Sequence, residues 1–321
     1  MAQSVLMEQV RRPLSPDAQL EVSVLQEDYE RVKKILEDEH EKYPRLWYDS
    51  ARGVAIVVGP RTPLHSGMAS ELIAQIRDEV NRTLGINSDL TRGISTMADN
   101  DMTRATQSGL TTRAWDSALR YVVGNRSTVM IAVEVGLSQE YESLRRAISW
   151  WVCAWKCRLG LVMLIREGPR RHERRQAQRF ASRQDAEASV AAIELELRDQ
   201  LLHRPYGPLV MNGVTWFGQV HTAVLETYRI PEIVTPETLL EPTQTFRIVR
   251  DGEFVGHNVA KNLREVFLRD CIPEYVLGNQ EMQATPVDFF HRDWFERAFG
   301  DSMVMTAVNR VWRATRFGQI P

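Results

Sequence analysis

The sequence predicts an α/β protein, a mixed sheet flanked by helices with a further α/β section toward the C-terminus. Three observations predict it. A hairpin pattern occupies residues 114–135, where two runs rich in β-branched and aromatic residues flank Gly124-Asn125-Arg126-Ser127. Amphipathic helical patterns stand before and after it, over 67–84 and 139–155. An apolar run over 159–166 then has the length and composition of a buried strand. Together with a strand over 91–97, the order is helix, strand, strand, strand, helix, strand.

The other elements follow in chain order. Residues 1–25 mix Arg, Pro, Ser, Gln and Glu without a clear period and are expected to form a flexible tail. Val32, Ile35 and Leu36 give 27–43 one apolar stripe, a solvated amphipathic helix ended at Tyr43-Pro44. Residues 46–48 and 53–58 read as two strands around Asp49-Ser50-Ala51-Arg52, and Gly59-Pro60-Arg61-Thr62-Pro63 breaks the pattern. Ser66 is the expected N-cap of the 67–84 helix and Gly85 its stop. Residues 26–168 thus form the expected core. Residues 169–204 are a charged helical segment and 205–321 a C-terminal section packed on the core. That section carries a hairpin at Asn212-Gly213, strands over 220–228 and 245–249, and helices over 258–270, 286–299 and 303–313.

The composition excludes several classes. The chain has 321 residues, 43% hydrophobic and 26% charged, with a net charge of −2. Attraction to nucleic acid must therefore come from a local patch. No run of 18 apolar residues indicates a membrane span, and the N-terminus lacks a signal-peptide core. Three cysteines argue against a disulfide framework and fit a reducing, intracellular compartment. No phosphate-cradling glycine loop, nucleophile elbow or dinucleotide fingerprint is present.

Two acids carry the chemistry. Asp116 opens the second of the core strands, and Glu134 sits inside Val133-Glu134-Val135, where an unpaired carboxylate is costly to bury. Two readings stay open. The acids meet at strand ends and hold a divalent cation through oxygen ligands, a common device for phosphodiester cleavage. Otherwise arginine or backbone groups cap them and they serve the fold alone.

Several stretches resemble the PD-(D/E)XK superfamily, the restriction-endonuclease-like fold, and within it the Uma-type endonucleases and related fungal proteins. Val54 to Val58 followed by Pro63-Leu64-His65 is similar to that group's entry into its first core helix. Trp115-Asp116 stands where the group has Pro-Asp. Val133-Glu134-Val135-Gly136-Leu137-Ser138 resembles the Glu-Val-Gly-x-Ser of the fungal relatives, and Gly213 to Gln219 with Val224 to Arg229 resembles them more loosely. The resemblance implies a DNA nuclease with Mg²⁺ (or Mn²⁺) held by Asp116, Glu134 and Glu71. The lysine that normally follows two residues after the acid is replaced by Gly136. Arg146 or Lys156, on or near the following helix, are the candidate basic partners. Arginine is a poor proton acceptor because it stays charged. The departure at Gly136 favours a second reading, a catalytically inactive nuclease-fold protein that binds nucleic acid or a protein partner. A pure interaction protein is a third. A homodimer is compatible with the sequence.

Seven arginines face only two glutamates between residues 166 and 183. Arg171, Arg174, Arg175 and Arg179 share a helical face there, and with Arg170 they could grip phosphates by counterion release. The alternative is a solvated helix paired with the acids that follow. Arg170 to Arg175 also resembles a basic import signal, which leaves nuclear and cytoplasmic locations open. His65 stands at a helix N-terminus, where it could meet a phosphate. Cys153, Cys157 and His172 have zinc-compatible spacing but no evident fourth ligand, so core positions are expected for the cysteines. Trp150, Trp151 and Trp155 are expected to pack helix on sheet.

Overall fold

The structure is a computed structural model that describes residues 2–39, 45–85, 88–98, 101–106, 108–137, 141–169, 183–256 and 266–316. The chain begins with α1 (Ala2–Arg11), β1 (Gln19–Ser23), α2 (Gln26–Asp38), β2 (Arg45–Asp49) and β3 (Val54–Val58). The expected tail is therefore structured. Leu6 and Val10, four residues apart on one helical face, are buried with Val32 and Leu36 of α2, and β1 pairs antiparallel with β3.

Next comes α3 (Pro63–Leu84). Its N-cap is Thr62 rather than Ser66, because Pro63 is preorganised for the first helical position and the Thr62 hydroxyl accepts from the His65 amide at 3.3 Å. Gly85, at φ 83°, ends the helix as expected. Then follow β4 (Ile94–Met97), β5 (Asp101–Thr106), β6 (Gly109–Ala114), β7 (Ser117–Val123) and β8 (Arg126–Leu137). The 114–123 run is not one strand. Ala114 closes β6 in the sheet ordered β1-β3-β2-β6-β5, and Ser117 opens β7 in another, so Trp115-Asp116 is the crossing between two sheets.

The chain continues through α4 (Tyr141–Ala154), β9 (Leu159–Glu167), α5 (Arg183–His203), β10 (Leu209–Met211), β11 (Val214–Phe217), β12 (Val220–Tyr228), β13 (Gln244–Arg250) and β14 (Glu253–Phe254). The main sheet is ordered β14-β13-β12-β9-β8-β7-β4. β4, β7 and β8 pair antiparallel in turn, β8 runs parallel to β9, and β9 runs antiparallel to β12. The single parallel step is the one crossed by α4, as a parallel pair requires. β10 and β11 form a separate hairpin around Asn212-Gly213.

The main sheet is covered on both faces. Val133 and Val135 of β8 pack with Leu64, Met68 and Leu72 of α3, while Ala132 packs under α4 with Ile148 and Trp151. Burial on both faces explains why β8 lacks an alternating pattern in sequence. The expected helices over 286–299 and 303–313 form one continuous helix, Arg292–Arg316. Gly300 does not break it, because its missing side chain gives Leu201 of α5 room to approach, as a Cβ there would lie 3.2 Å from Leu201 Cδ1. The basic segment Arg170, Arg171, Arg174, Arg175 and Arg179, with His172, lies outside the described residues, as does most of the expected 258–270 helix. Among the described residues no helix is long and apolar enough to cross a membrane.

Candidate functional site

Asp116 and Glu134 come together as opposite neighbours. The β7–β8 register pairs Ser117 with Val133, which sets Asp116 across from Glu134 one step further. Both are buried, Asp116 4% and Glu134 5% exposed.

Every oxygen of Asp116 has a partner within the protein. Arg61 Nη2 lies 2.5 Å from Oδ1, His65 Nε2 lies 2.8 Å from Oδ2, and the Val135 amide donates to Oδ2 at 2.6 Å. The other imidazole nitrogen, His65 Nδ1, lies 3.2 Å from Asp17 Oδ1. Neither ring nitrogen aligns well for a hydrogen bond, so these contacts are ionic in character. Asp17 also accepts from the Thr62 amide at 2.8 Å. The loop that carries it closes over the cluster, with the Asp17 amide donating to Pro60 O and the Gly59 amide to Ala18 O. Arg61 also lies 6.0 Å from the Trp47 ring centroid.

Glu134 faces α4 and accepts from the Trp151 indole nitrogen at 2.6 Å. Trp151 in turn packs on Trp115, with centroids 4.6 Å apart, and on Trp150 at 4.5 Å. The tryptophans thus pack helix on sheet, and all three cysteines are buried.

The charges close on themselves. Burial alone would raise Asp116, yet Arg61 and His65 hold it down to about 2. Burial opposes the charge on His65, but Asp116 and then Asp17 raise it to about 9. Burial, and then the Asp116 carboxylate, push Glu134 well above the usual carboxylate range. At neutral pH two anions, Asp17 and Asp116, face two cations, Arg61 and His65, while burial and the Asp116 charge disfavour ionisation of Glu134. His65 is raised in the folded state, so its contribution to stability is complete below the ordinary histidine pKa, about 6.5. That contribution falls as pH rises through about 9. Urea midpoints of the wild type are expected to fall between pH 6.5 and 9, with a flatter profile for His65→Gln. Parallel profiles would refute a charged His65.

The remaining sequence-predicted residues lie apart from this cluster. Glu71 is exposed on α3 and accepts from Trp294 Nε1 at 3.4 Å. Six residues on from His65, it is turned about 240° around the helix. Arg146 lies about 140° around α4 from Trp151, and pairs at 3.5 Å with Glu142. Lys156 stands beyond the end of α4, exposed, at φ 58°.

The arrangement does not fit a resident Mg²⁺ or Mn²⁺ ion. Such ions take anionic or neutral oxygens. Here both Asp116 oxygens face protein cations or amides, and Glu134 is buried and bound by an indole. Among the described residues, no group of three or more His, Cys, Asp or Glu is placed to hold a metal. The position of the usual lysine is closed as well, because a Cβ on Gly136 would run into Leu144 Cδ1 of α4.

Sequence reasoning missed Arg61 and Asp17. Their signals were present as turn punctuation, Ser15-Pro16-Asp17 and Pro60-Arg61-Thr62-Pro63. It also missed Glu226, which shares the row of Glu134 through Val162 of β9 and accepts from the hydroxyls of Tyr141 (2.9 Å) and Tyr228 (2.7 Å). Compared with protein-family models, curated proteins and solved structures, the chain matches none.

Proposed function

We propose that this protein is a restriction-endonuclease-like relative that binds nucleic acid and does not cleave it. The fold part of this reading is supported by α3, β4, β7, β8, α4 and β9, whose strands share one mixed sheet in the order that the PD-(D/E)XK resemblance implies, with β5 and β6 inserted into the other sheet. One observation carries the loss of cleavage: each Asp116 oxygen is taken by a cation of the protein itself. Hydrolysis by a metal at Asp116, Glu134 and Glu71 is the reading that this geometry favours less. Nucleic acid as the partner is supported by the arginine-dense sequence over 166–183, which directly follows β9.

The test is fluorescence anisotropy with labelled duplex and single-stranded DNA across a salt series, with a cleavage assay in Mg²⁺ and Mn²⁺ on the same samples. Binding is expected to weaken as salt rises, and to weaken further when Arg171, Arg174, Arg175 and Arg179 are all replaced by alanine. No cleavage is expected. Metal-dependent cleavage abolished by Glu134→Gln would restore the nuclease reading. Absence of salt-sensitive binding would remove nucleic acid as the partner.

A further inference from the structure

A groove of about 310 Å³ opens where the β1-β3-β2-β6-β5 sheet meets α4, and no residue of the Asp116 cluster lines it. Arg52 and Arg113 line it from the β2–β3 turn and β6, Arg146 and Trp150 from α4, and residues 236–239 form the third wall. Its size lies at the lower end of small-molecule sites. Three guanidinium groups line it against two carboxylates, Asp49 and Glu237.

The guanidinium groups differ in how they are held. Arg113 Nη2 is tied to Asp49 at 2.9 Å in a buried pair, and Arg52 grips both oxygens of Glu21. Among the described residues Arg146 pairs with Glu142 at 3.5 Å, and its side chain is 35% exposed. Two buried donors in the groove wall, Arg113 Nε and Trp150 Nε1, find no acceptor among the described residues. Both atoms are closed off from solvent, and unpaired buried donors are uncommon in folded proteins. A carboxylate at the margin already senses this field. Glu21 is held below the usual carboxylate range, first by its hydrogen bond to Arg52, and also by the charges of Arg52, Arg146 and Arg113.

We propose that this groove binds a phosphate group, with Arg146 as the adjustable cation and Arg113 and Arg52 as the fixed wall. Arginine suits the role because its planar fork matches phosphate oxygens two at a time. The phosphate could belong to a small free compound or to the end of a nucleic-acid strand, and the same groups would recognise either. The inference goes beyond nucleic-acid binding, since a free phosphate compound alone satisfies it.

Calorimetry on the full chain with pyrophosphate, a 5′-phosphorylated trinucleotide and its unphosphorylated form tests it. Arg146→Ala removes a partly exposed side chain and is expected to melt as the wild type does. Lys156→Ala, an exposed cation outside the groove lining, is the control. The phosphorylated ligands are expected to bind, and Arg146→Ala to weaken them about tenfold, with Lys156→Ala unchanged. Binding of pyrophosphate identifies a free phosphate compound as sufficient. Binding of the phosphorylated trinucleotide alone identifies a strand end. No binding of either, equal binding by Arg146→Ala, or equal binding of the unphosphorylated trinucleotide would overturn the proposal. DNA binding along the arginine segment can fail or succeed independently of this result.

Discussion

Asp116→Asn is expected to destabilise the protein by about 3–5 kcal/mol, the usual cost of removing one partner from a buried ion pair. The replacement keeps the side chain's shape but removes the carboxylate charge that Arg61 and His65 both contact. Glu134→Gln is expected to cost much less, because burial and the Asp116 charge already disfavour the ionised carboxylate and an amide oxygen still accepts from Trp151. Urea denaturation of both variants at neutral pH checks the contrast. Mg²⁺ sharpens it. A resident metal would stabilise the folded wild type by mass action, whereas a self-neutralised cluster leaves its midpoint unchanged. Equal losses in the two variants, together with Mg²⁺ stabilisation of the wild type alone, would refute the self-neutralised cluster.

Placing a lysine at Gly136, where the PD-(D/E)XK resemblance implies one, has the second large expected effect. Gly136→Lys should cost about 1–3 kcal/mol, as overpacking of a filled core does, and should yield no nuclease. The new Cβ meets Leu144, itself buried among Ile148, Trp151 and Val162 under α4. Adding Leu144→Ala should recover part of the loss by opening that space. Thermal melts of the single and double variants, with DNA cleavage followed in Mg²⁺, check the expectation. A Gly136→Lys protein as stable as the wild type and able to cleave DNA would show that only the missing amine separates this chain from an active enzyme.

Some of the site was legible in local sequence. Gly124-Asn125-Arg126-Ser127 between two β-rich runs is a short-range signal, and it correctly paired the strand that holds Glu134 with the one that follows Asp116, although Asp116 itself lies in the crossing before that strand. The odd carboxylate among valines correctly marked Glu134 as a residue in need of a partner. The partner itself, an indole on a helix 17 residues later, was not legible, since Trp151 reads equally well as helix packing. Arg61 and Asp17 were harder still. They lie in turn segments whose residue types say only that the chain bends, and their contacts join positions 55 and 48 residues apart. The crossing at Trp115-Asp116 between two sheets was hidden because 114–123 carries strand-forming residues throughout.

The sequence by itself determined the α/β class, the hairpin pairing and the burial of Glu134. Each of these follows from periodicity, turn chemistry or the cost of burying charge, which act over a few residues. Only the tertiary structure decided that α1 and β1 are ordered parts of the fold. It alone decided that Arg61 and His65 take up Asp116, that Leu144 fills the space beside Gly136, and that three arginines from separate elements line one groove. Those outcomes depend on which faces meet across the chain. Local propensity does not encode that meeting, because charge compensation in a low-dielectric interior is set by distance in space rather than in sequence.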